Sequence, residues 1–167
     1  MPGFLRAHAL SDQWPFLSDL AELELQRGLM IDRADSTPAT VAELARVPAE
    51  RWATLRFAPV CALRLLELRY PVHRLWLAVK EERPVGEIDL APTATHIVTW
   101  RQDSAVFHRV LDARESAALD SVIGGVPFAE ACAAVAIDDA ADRAAGYLAA
   151  RLKQWVTDGL LILRGGA

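Results

Sequence analysis

The chain has 167 residues, 53% of them hydrophobic and 24% charged, with a formal net charge of −4. This composition excludes a disordered tail and provides enough apolar residues for one domain, or for two small lobes that share a core. The acidic balance excludes a global basic field that would gather nucleic acid or anionic lipid.

Residues 1–50 are predicted to form an N-terminal segment of short helices. Asp12 is expected to cap a helix that begins near Pro15, because proline is favoured in a first helical turn. Apolar residues at helical spacing continue this helix, and Gly28 weakens its far end. The rest of the segment is predicted as a loop and two helical turns, at residues 32–38, 40–46 and 48–52.

Residues 51–110 are predicted to form a β-rich central segment. Two prolines bracket the run from Leu63 to Tyr70, in which apolar and charged residues alternate, so a strand is predicted there. Leu65 next to Leu66 breaks the alternation, which indicates either a bulge or a strand covered on both faces. A helix over the same run stays open as an alternative, because periodicity alone does not exclude it.

A β-hairpin is predicted over residues 95–110. β-branched residues are frequent in the first arm, a polar turn follows at residues 102–104, and the second arm runs back from residue 105. His96 and His108 lie on the two arms and are placed to face each other, which favours a cross-strand pair over a metal site.

Residues 111–167 are predicted to form a helical lobe of three helices and a closing strand at residues 160–163. The residues expected to cap, open or end the helices are Asp112, Gly124, Gly125, Pro127, Asp138 or Asp139, and Gly159. Two helices, a longer helix and then a strand resemble a winged helix-turn-helix. The expected fold class is α+β: N-terminal short helices, a small antiparallel β-sheet in the middle and a C-terminal winged-helix-like lobe, together one compact unit.

The sequence contains no recognisable catalytic or metal-binding motif. The four histidines lack the spacing of a metal site, and the serines lack an identifiable base partner. Cys61 and Cys132 show no pairing pattern and are expected to be reduced in a cytoplasmic protein. Neither a signal peptide nor a membrane span is predicted. We therefore expect a binding module and not an enzyme, with no catalytic residue, metal or cofactor of its own.

Charge separates an acidic C-terminal part from a basic centre. Asp138, Asp139 and Asp142 stand at the start of the third helix, where a DNA reader would place basic residues or asparagine, so weak DNA binding is expected. In the centre, one glutamate, Glu67, is outnumbered by arginines at positions 51, 56, 64, 69 and 74. These arginines form either the solvated outer faces of a sheet or a basic surface that receives an acidic extended peptide as an added strand.

Short motifs along nearly the whole chain are similar to one family. They are Phe57-Ala58-Pro59, Leu63-Arg64-Leu65-Leu66, Tyr70-Pro71-Val72, Leu75-Trp76 and Val98-Thr99-Trp100-Arg101, with Phe4-Leu5, the leucine-rich helix near Leu20 and the stretch from Trp155 to Leu161. The family, formerly labelled a DNA-binding domain, contains partner subunits of multinuclear non-haem iron oxygenases that modify ribosomally made peptides, as in methanobactin and copper-bufferin pathways. The chain departs from it at Pro59-Val60-Cys61, where a histidine is usual, and lacks the extra N-terminal helical domain of many relatives.

The resemblance implies a two-subunit enzyme. An oxygenase subunit would hold the iron and oxidise cysteines of a precursor peptide, while this chain would dock on it and hold the precursor's leader as an added strand. The residues implied in binding are Arg64, Leu66, Leu68, Arg69, Tyr70, Pro71, Val72, Trp76, Trp100 and Arg101.

Some of these residues carry a more specific expectation. Pro71 and Val72 fix the turn after the strand, and Arg101 pairs with a leader carboxylate. Trp76 and Trp100 are either interface anchors or, as is more common for a lone tryptophan, part of the core. Neither nucleic acid nor membrane is an expected partner. The alternative function is a winged-helix DNA-binding transcriptional regulator, which rests on the architecture alone.

Overall fold

The computed structural model describes residues 3–4, 8, 10–86, 88–135 and 141–164. These residues have the mixed α+β architecture that the sequence predicts. The helices are α1 (Leu10–Gln13), α2 (Leu17–Ile31), α3 (Val41–Leu44), a 3-10 helix (Ala49–Thr54), α4 (Val72–Lys80), α5 (Ala113–Ile123), α6 (Phe128–Val135) and α7 (Ala141–Thr157). The strands are β1 (Arg56–Pro59), β2 (Leu63–Leu68), β3 (Thr95–Gln102), β4 (Ala105–Leu111) and β5 (Leu161–Arg164).

A three-stranded antiparallel sheet with the order β2-β3-β4 lies at the centre of the fold. The predicted hairpin is confirmed as β3 and β4, which are joined by a turn at residues 103–104. β2 pairs with β3 in one continuous register, from Leu63 opposite Trp100 to Leu68 opposite Thr95. β2 and β4 are therefore the edge strands of this sheet.

Two apolar cores cover the two faces of the sheet. In the first, called the N-terminal core, α2 and α4 pack on one face; it contains Leu23, Leu66, Leu68, Tyr70, Val72 and Ile97. The second, called the C-terminal core, joins the other face to α5, α6, α7 and the β1–β5 pair; its fully buried side chains include Phe57, Leu119, Leu148 and Trp155. Leu44 of the N-terminal segment also belongs to the C-terminal core. The domain boundaries placed near residues 50 and 110 stay predictions.

The break in alternation at Leu65 and Leu66 follows because both faces of the sheet are covered by an apolar core. Leu63 belongs to the C-terminal core and Leu65 packs against it, whereas Leu66 and Leu68 belong to the N-terminal core. Successive side chains of a strand point to opposite faces, so a strand between two cores carries apolar residues on both. The continuous register shows that the alternatives of a bulge or a helix are wrong.

The N-terminal segment is helical, but one predicted boundary is wrong. Asp12 lies inside α1 and does not cap the next helix, because α2 begins later, at Leu17, without a side-chain cap. α2 continues through Gly28 to Ile31 because its buried side packs on the sheet, and this packing outweighs the weak helix propensity of glycine. The predicted loop at residues 32–38 is confirmed.

Two predictions for the central segment are also corrected. Pro71 and Val72 do more than fix a turn: Pro71 occupies the N-cap position of α4 and Val72 begins the helix, so the segment is not β-rich throughout. His96 and His108 do not face each other, since His96 lies opposite Leu111 and His108 opposite Thr99. The offset of three residues places the two imidazoles on opposite faces of the hairpin.

The predicted C-terminal helices and closing strand are confirmed. Asp112 caps α5, and its Oδ1 accepts the backbone N–H of Glu115 at 2.7 Å. Gly125 and Gly159, just after α5 and α7, have positive φ angles of 85° and 71°, which explains why these helices end at glycine. β5 pairs antiparallel with β1. The predicted cap at position 138 or 139 lies outside the described residues.

A buried carboxylate connects the sheet to the C-terminal helices. Glu115 of α5 is 3% exposed and accepts two hydrogen bonds from the Arg109 guanidinium of β4, at 2.9 and 3.1 Å. Trp155 Nε1 donates to it at 3.0 Å, and Arg151 Nη1 lies 3.4 Å away. Burial raises the pKa of this carboxyl, but the hydrogen bonds and the two arginine charges outweigh burial, so the pKa lies below the ordinary 4.5.

Replacing Glu115 by glutamine is expected to lower the free energy of unfolding by about 2–3 kcal/mol at pH 7. This loss is smaller than the roughly 3–5 kcal/mol expected when a fully buried ion pair is broken, because Arg109 and Arg151 are partly exposed. The difference should shrink as the pH falls from about 4.5 through the lowered pKa, since only the ionised carboxylate stabilises the folded state. Urea unfolding at pH 7 and pH 3 measures both effects. Glu50→Gln, at an exposed position, is the control, and equal stability of the two variants at pH 7 would contradict this account.

Candidate functional site

The outer edge of β2 is the first candidate surface. Within the described residues β2 pairs with β3 alone, so the backbone groups along its other side have no strand partner. Asp19 of α2 closes one end of this edge, because its Oδ2 accepts the backbone N–H groups of Arg69 and Tyr70 at 2.7 and 3.0 Å. The open part of the edge therefore coincides with β2 itself, Leu63–Leu68.

A groove of about 320 Å³ lies beside this edge, between β2 and α5. Its sheet side is formed by residues 65–67 and His96. Its helix side is formed by four residues at positions i, i+3, i+4 and i+7 of α5, which share one helix face: Ala113, Ser116, Ala117 and Asp120. Three of them are small and leave room for an extended backbone. The spacing of these small residues is visible in the sequence, but it did not predict a groove beside β2.

Two further depressions lie near the end of β2, with volumes of about 350 and 440 Å³. Glu67 and Arg69 contribute to both, and Glu67 also contributes to the groove along α5. One of the depressions reaches α2 at Asp19, and the other reaches the residues 92–94 that precede β3. The surface around β2 is thus indented on both sides of the strand.

Arg64 and Arg69 are the predicted binding residues with exposed side chains. Arg64 is on the same strand face as Leu66, and the Arg69 guanidinium lies 5.6 Å from the centroid of the Tyr70 ring. Neither arginine takes part in an ion pair within the described part of the chain. Their charges are therefore available to an acidic ligand.

Most of the other predicted binding residues are buried: Leu66, Leu68, Tyr70, Pro71, Val72 and Trp100. Leu66, Leu68, Tyr70 and Val72 belong to the N-terminal core and hold β2 and the start of α4 there, so their main role is to support the edge. Trp100 is 6% exposed in the C-terminal core and stacks on Phe107 at 5.6 Å between ring centroids. Its indole Nε1 is buried without a hydrogen-bond partner among the described residues.

Arg101 is already engaged inside the chain. Its Nη1 lies 2.8 Å from Asp35 Oδ1, and its Nε and Nη2 donate to the carbonyls of Met30 and Arg33 at 3.0 and 2.7 Å. The side chain is 15% exposed. Arg101 thereby fastens β3 to the end of α2 and the loop after it. A leader carboxylate would have to compete with Asp35 for this guanidinium.

Trp76 is half-buried at the centre of a second cluster, on the opposite edge of the sheet. The Arg27 guanidinium carbon lies 4.1 Å from the centroid of its ring, and Lys80 Nζ lies 5.3 Å from it. The His108 ring of β4 meets the indole edge to face at 4.8 Å. Arg27 also lies 2.8 Å from His108 Nδ1 and donates to the Val106 carbonyl at 2.9 Å. We call Arg27, His73, Trp76, Lys80 and His108 the Trp76 cluster.

Burial and positive neighbours keep His108 neutral. Desolvation is the largest cause, and the charges of Arg27, His73 and Lys80 add to it, so the pKa of His108 falls to about 4. Burial and the charge of Arg74 also lower the pKa of His73, whose Nδ1 is buried without a hydrogen-bond partner in the described part of the chain. Since Arg27 is a donor, the short contact to it makes Nδ1 of His108 an acceptor and leaves the proton on Nε2.

The described residues contain no cluster with the ligand set of a metal site. No group of three or more His, Cys, Asp or Glu side chains is placed to hold a metal ion there. Cys61 is exposed, and Cys132 is partly buried, which raises the pKa of its thiol. No helix within these residues is both long and apolar enough to cross a membrane.

No protein-family model fits the chain, and no curated protein is detectably similar to it in sequence. The likeness to oxygenase partner subunits accordingly stays a prediction from the motifs of the chain itself.

The imidazole of His108 is expected to stay neutral until the pH approaches 4, and Arg27→Gln is expected to raise its pKa by removing a positive neighbour. Because the unfolded chain binds this proton near the ordinary 6.5, acidification from pH 6.5 towards 4 should destabilise the folded state. Titration of the histidine ring signals by NMR measures the pKa directly. Arg33→Gln, at an exposed arginine outside the cluster, is the control. A pKa of His108 near 6.5 in the wild-type protein would show that the imidazole is not enclosed by the Trp76 cluster.

Proposed function

We propose that this chain is a non-catalytic, cytoplasmic partner subunit of an iron-dependent peptide-modifying oxygenase. In this role it helps to recognise the leader of a ribosomally made precursor peptide whose cysteines are modified. The observation that carries the proposal is the open edge of β2, which lies beside a groove and has an exposed arginine near each end. The iron belongs to the oxygenase in this proposal.

Strand addition at β2 is the binding mode that this edge supports. An extended peptide can hydrogen-bond with the free backbone groups of Leu63–Leu68, a length of about 20 Å at roughly 3.3 Å per residue. The groove between β2 and α5 offers space for the peptide side chains that point to that face. Because both sheet faces are already covered, the edges are the places where the sheet can pair with another chain.

Charge supplies the selectivity in this proposal. Arg64 and Arg69 lie about 16 Å apart along an extended chain, so a leader with acidic residues about five positions apart could reach both. Glu67 and Asp120 border the groove and would disfavour acidic side chains on that side. The expected ligand is therefore an extended peptide with acidic residues near its two ends and small or polar residues towards the groove.

A winged-helix-like lobe formed by α5, α6, α7 and β5 remains part of the proposal. Its support is the order of two helices, a longer helix and a strand, with that strand paired to β1. The alternative function, DNA binding by this lobe, has the same architectural support. The buried ion-pair network of Glu115 occupies Arg151 of α7, which leaves that arginine less able to contact a phosphate.

Co-expression with the cognate oxygenase tests the two-subunit proposal. We expect the chain and the oxygenase to co-elute in size-exclusion chromatography at micromolar concentration, and addition of the precursor peptide should strengthen the complex. Separate elution both with and without the peptide would refute the partnership.

Charge reversal at both ends of β2 tests the peptide site. Arg64→Glu combined with Arg69→Glu is expected to weaken leader binding at least about tenfold, because two charge-assisted contacts are replaced by repulsion. Isothermal titration with the precursor leader measures this, and circular dichroism checks the fold. Arg33→Glu combined with Lys153→Glu changes the charge equally at exposed positions away from β2 and should bind as wild type. Unchanged affinity of the first variant would remove the site.

A mobility-shift assay at low salt separates the proposal from the DNA-binding alternative. Electrostatic binding to phosphates is strongest at low ionic strength, so even non-specific DNA binding would appear there. We expect no shift of a duplex at micromolar protein. A salt-sensitive shift would favour the regulator.

A further inference from the structure

The Trp76 cluster brings basic side chains together, and the ion pairs among the described residues give it no carboxylate. The groups that depress the pKa of His108 through their charge are Arg27, His73 and Lys80, and all three are basic. The ion pairs among the described residues use other arginines and do not include Arg27 or Lys80. By contrast, the partly exposed Arg109 faces the buried carboxylate of Glu115. Within the described part of the chain, the Trp76 cluster therefore lacks a compensating carboxylate such as the one that Arg109 has.

A cationic side chain that is partly buried without an acidic partner raises the free energy of the folded protein, and an anionic ligand can lower that free energy. Burial alone lowers the pKa of Arg27, which means that its charge is partly desolvated. The ring of Trp76, the Val106 carbonyl and His108 Nδ1 replace part of the lost hydration, but none of the three carries a negative charge. An anion brought next to Arg27 and Lys80 would interact with charges that are less screened than those of a solvated surface.

The surroundings of the cluster indicate the size of the ligand. α4 presents Leu77 and Val79 to solvent, 39% and 63% exposed, and Val110 of the neighbouring edge strand β4 is 41% exposed. Val110 and His108 lie on the same face of β4. Exposed apolar side chains next to an aromatic ring and cations form the kind of surface that a protein partner covers, whereas a small inorganic anion would leave them in water.

We propose that the Trp76 cluster is a docking surface for an acidic protein partner, which places a carboxylate against Lys80 and His108 and apolar side chains against α4 and Val110. Protein is the favoured partner because apolar and cationic groups are combined here. An RNA or DNA strand would pair with the cations but would leave the exposed side chains of Leu77, Val79 and Val110 in water.

This surface is distinct from the proposed peptide site. β4 and β2 are the two outer strands of the same sheet, so the two surfaces lie at opposite edges. The chain can therefore bind a peptide at β2 and a protein at β4 together. The inference rests on the proposed function only where it names the oxygenase as the protein partner. The acidic and apolar chemistry of the docking surface does not depend on the proposed function.

A synthetic peptide of alternating Asp and Leu residues serves as the probe for the full-length chain, and the same peptide with Asn for Asp is the neutral probe. NMR follows the ring signals of His73, Trp76 and His108 during the titration. We expect the acidic probe to shift these signals and to raise the pKa of His108 above its value of about 4, because a nearby carboxylate favours the imidazolium. Lys80→Glu should weaken binding about tenfold, whereas Lys153→Glu, at an exposed lysine of α7, should leave it unchanged.

Each other outcome overturns the inference. Equal binding of the neutral probe would remove the role of the carboxylate, and equal shifts with sodium sulfate or a thymidine oligonucleotide would indicate a general anion site. Equal weakening by Lys80→Glu and Lys153→Glu would indicate non-specific attraction. The variant that combines Arg64→Glu and Arg69→Glu should bind the acidic probe at this cluster as wild type does, so failure of the β2 site and failure of this surface are distinguished.

Discussion

The central sheet is apolar on both faces, and the rest of the fold follows from the need to cover both. Leu63 and Leu65 project into the C-terminal core, while Leu66 and Leu68 project into the N-terminal core. Helices α2 and α4 cover one face, and the C-terminal helices with the β1–β5 pair cover the other. Once both faces are buried, the sheet can meet another chain only at β2 or β4. The two proposed binding surfaces lie at these two edges for that reason.

The basic side chains of the described residues divide into those that pair with an acidic group inside the chain and those that do not. Arg109 and Arg151 surround the buried Glu115, which fastens α5 and α7 to the sheet. Arg101 similarly fastens β3 to α2 through Asp35 and two carbonyl groups. Arg64, Arg69 and the Trp76 cluster have no such acidic partner among the described residues. A net negative protein thus keeps local positive charge at the two sheet edges, where acidic ligands can approach.

Local patterns predicted most of the elements, and tertiary contacts account for the failures. Alternation and turn residues predicted the hairpin, and capping residues and glycines predicted the C-terminal helices, because these signals act over a few residues. The helix α4 was missed, and the pairing of His96 with His108 was wrong, because helix packing and strand register depend on distant residues. The site was predicted only in part: Arg64 and Arg69 are exposed as a binding surface requires, but the α5 side of the groove needs the fold to bring residues 113–120 beside β2. The partnership of Arg27 with Trp76 and His108 likewise joins three distant elements.

Amide hydrogen exchange on the free chain and on its complex with the cognate precursor leader tests the central claim most directly. Addition of a strand to β2 would give hydrogen bonds to the outward-facing N–H groups of Leu63–Leu68, which alternate along the strand. We expect new protection at every second amide of β2, with little change in β4 or α7. Protection that appears in α7 or along β4 instead, or a complex that leaves β2 exchanging as in the free chain, would contradict it.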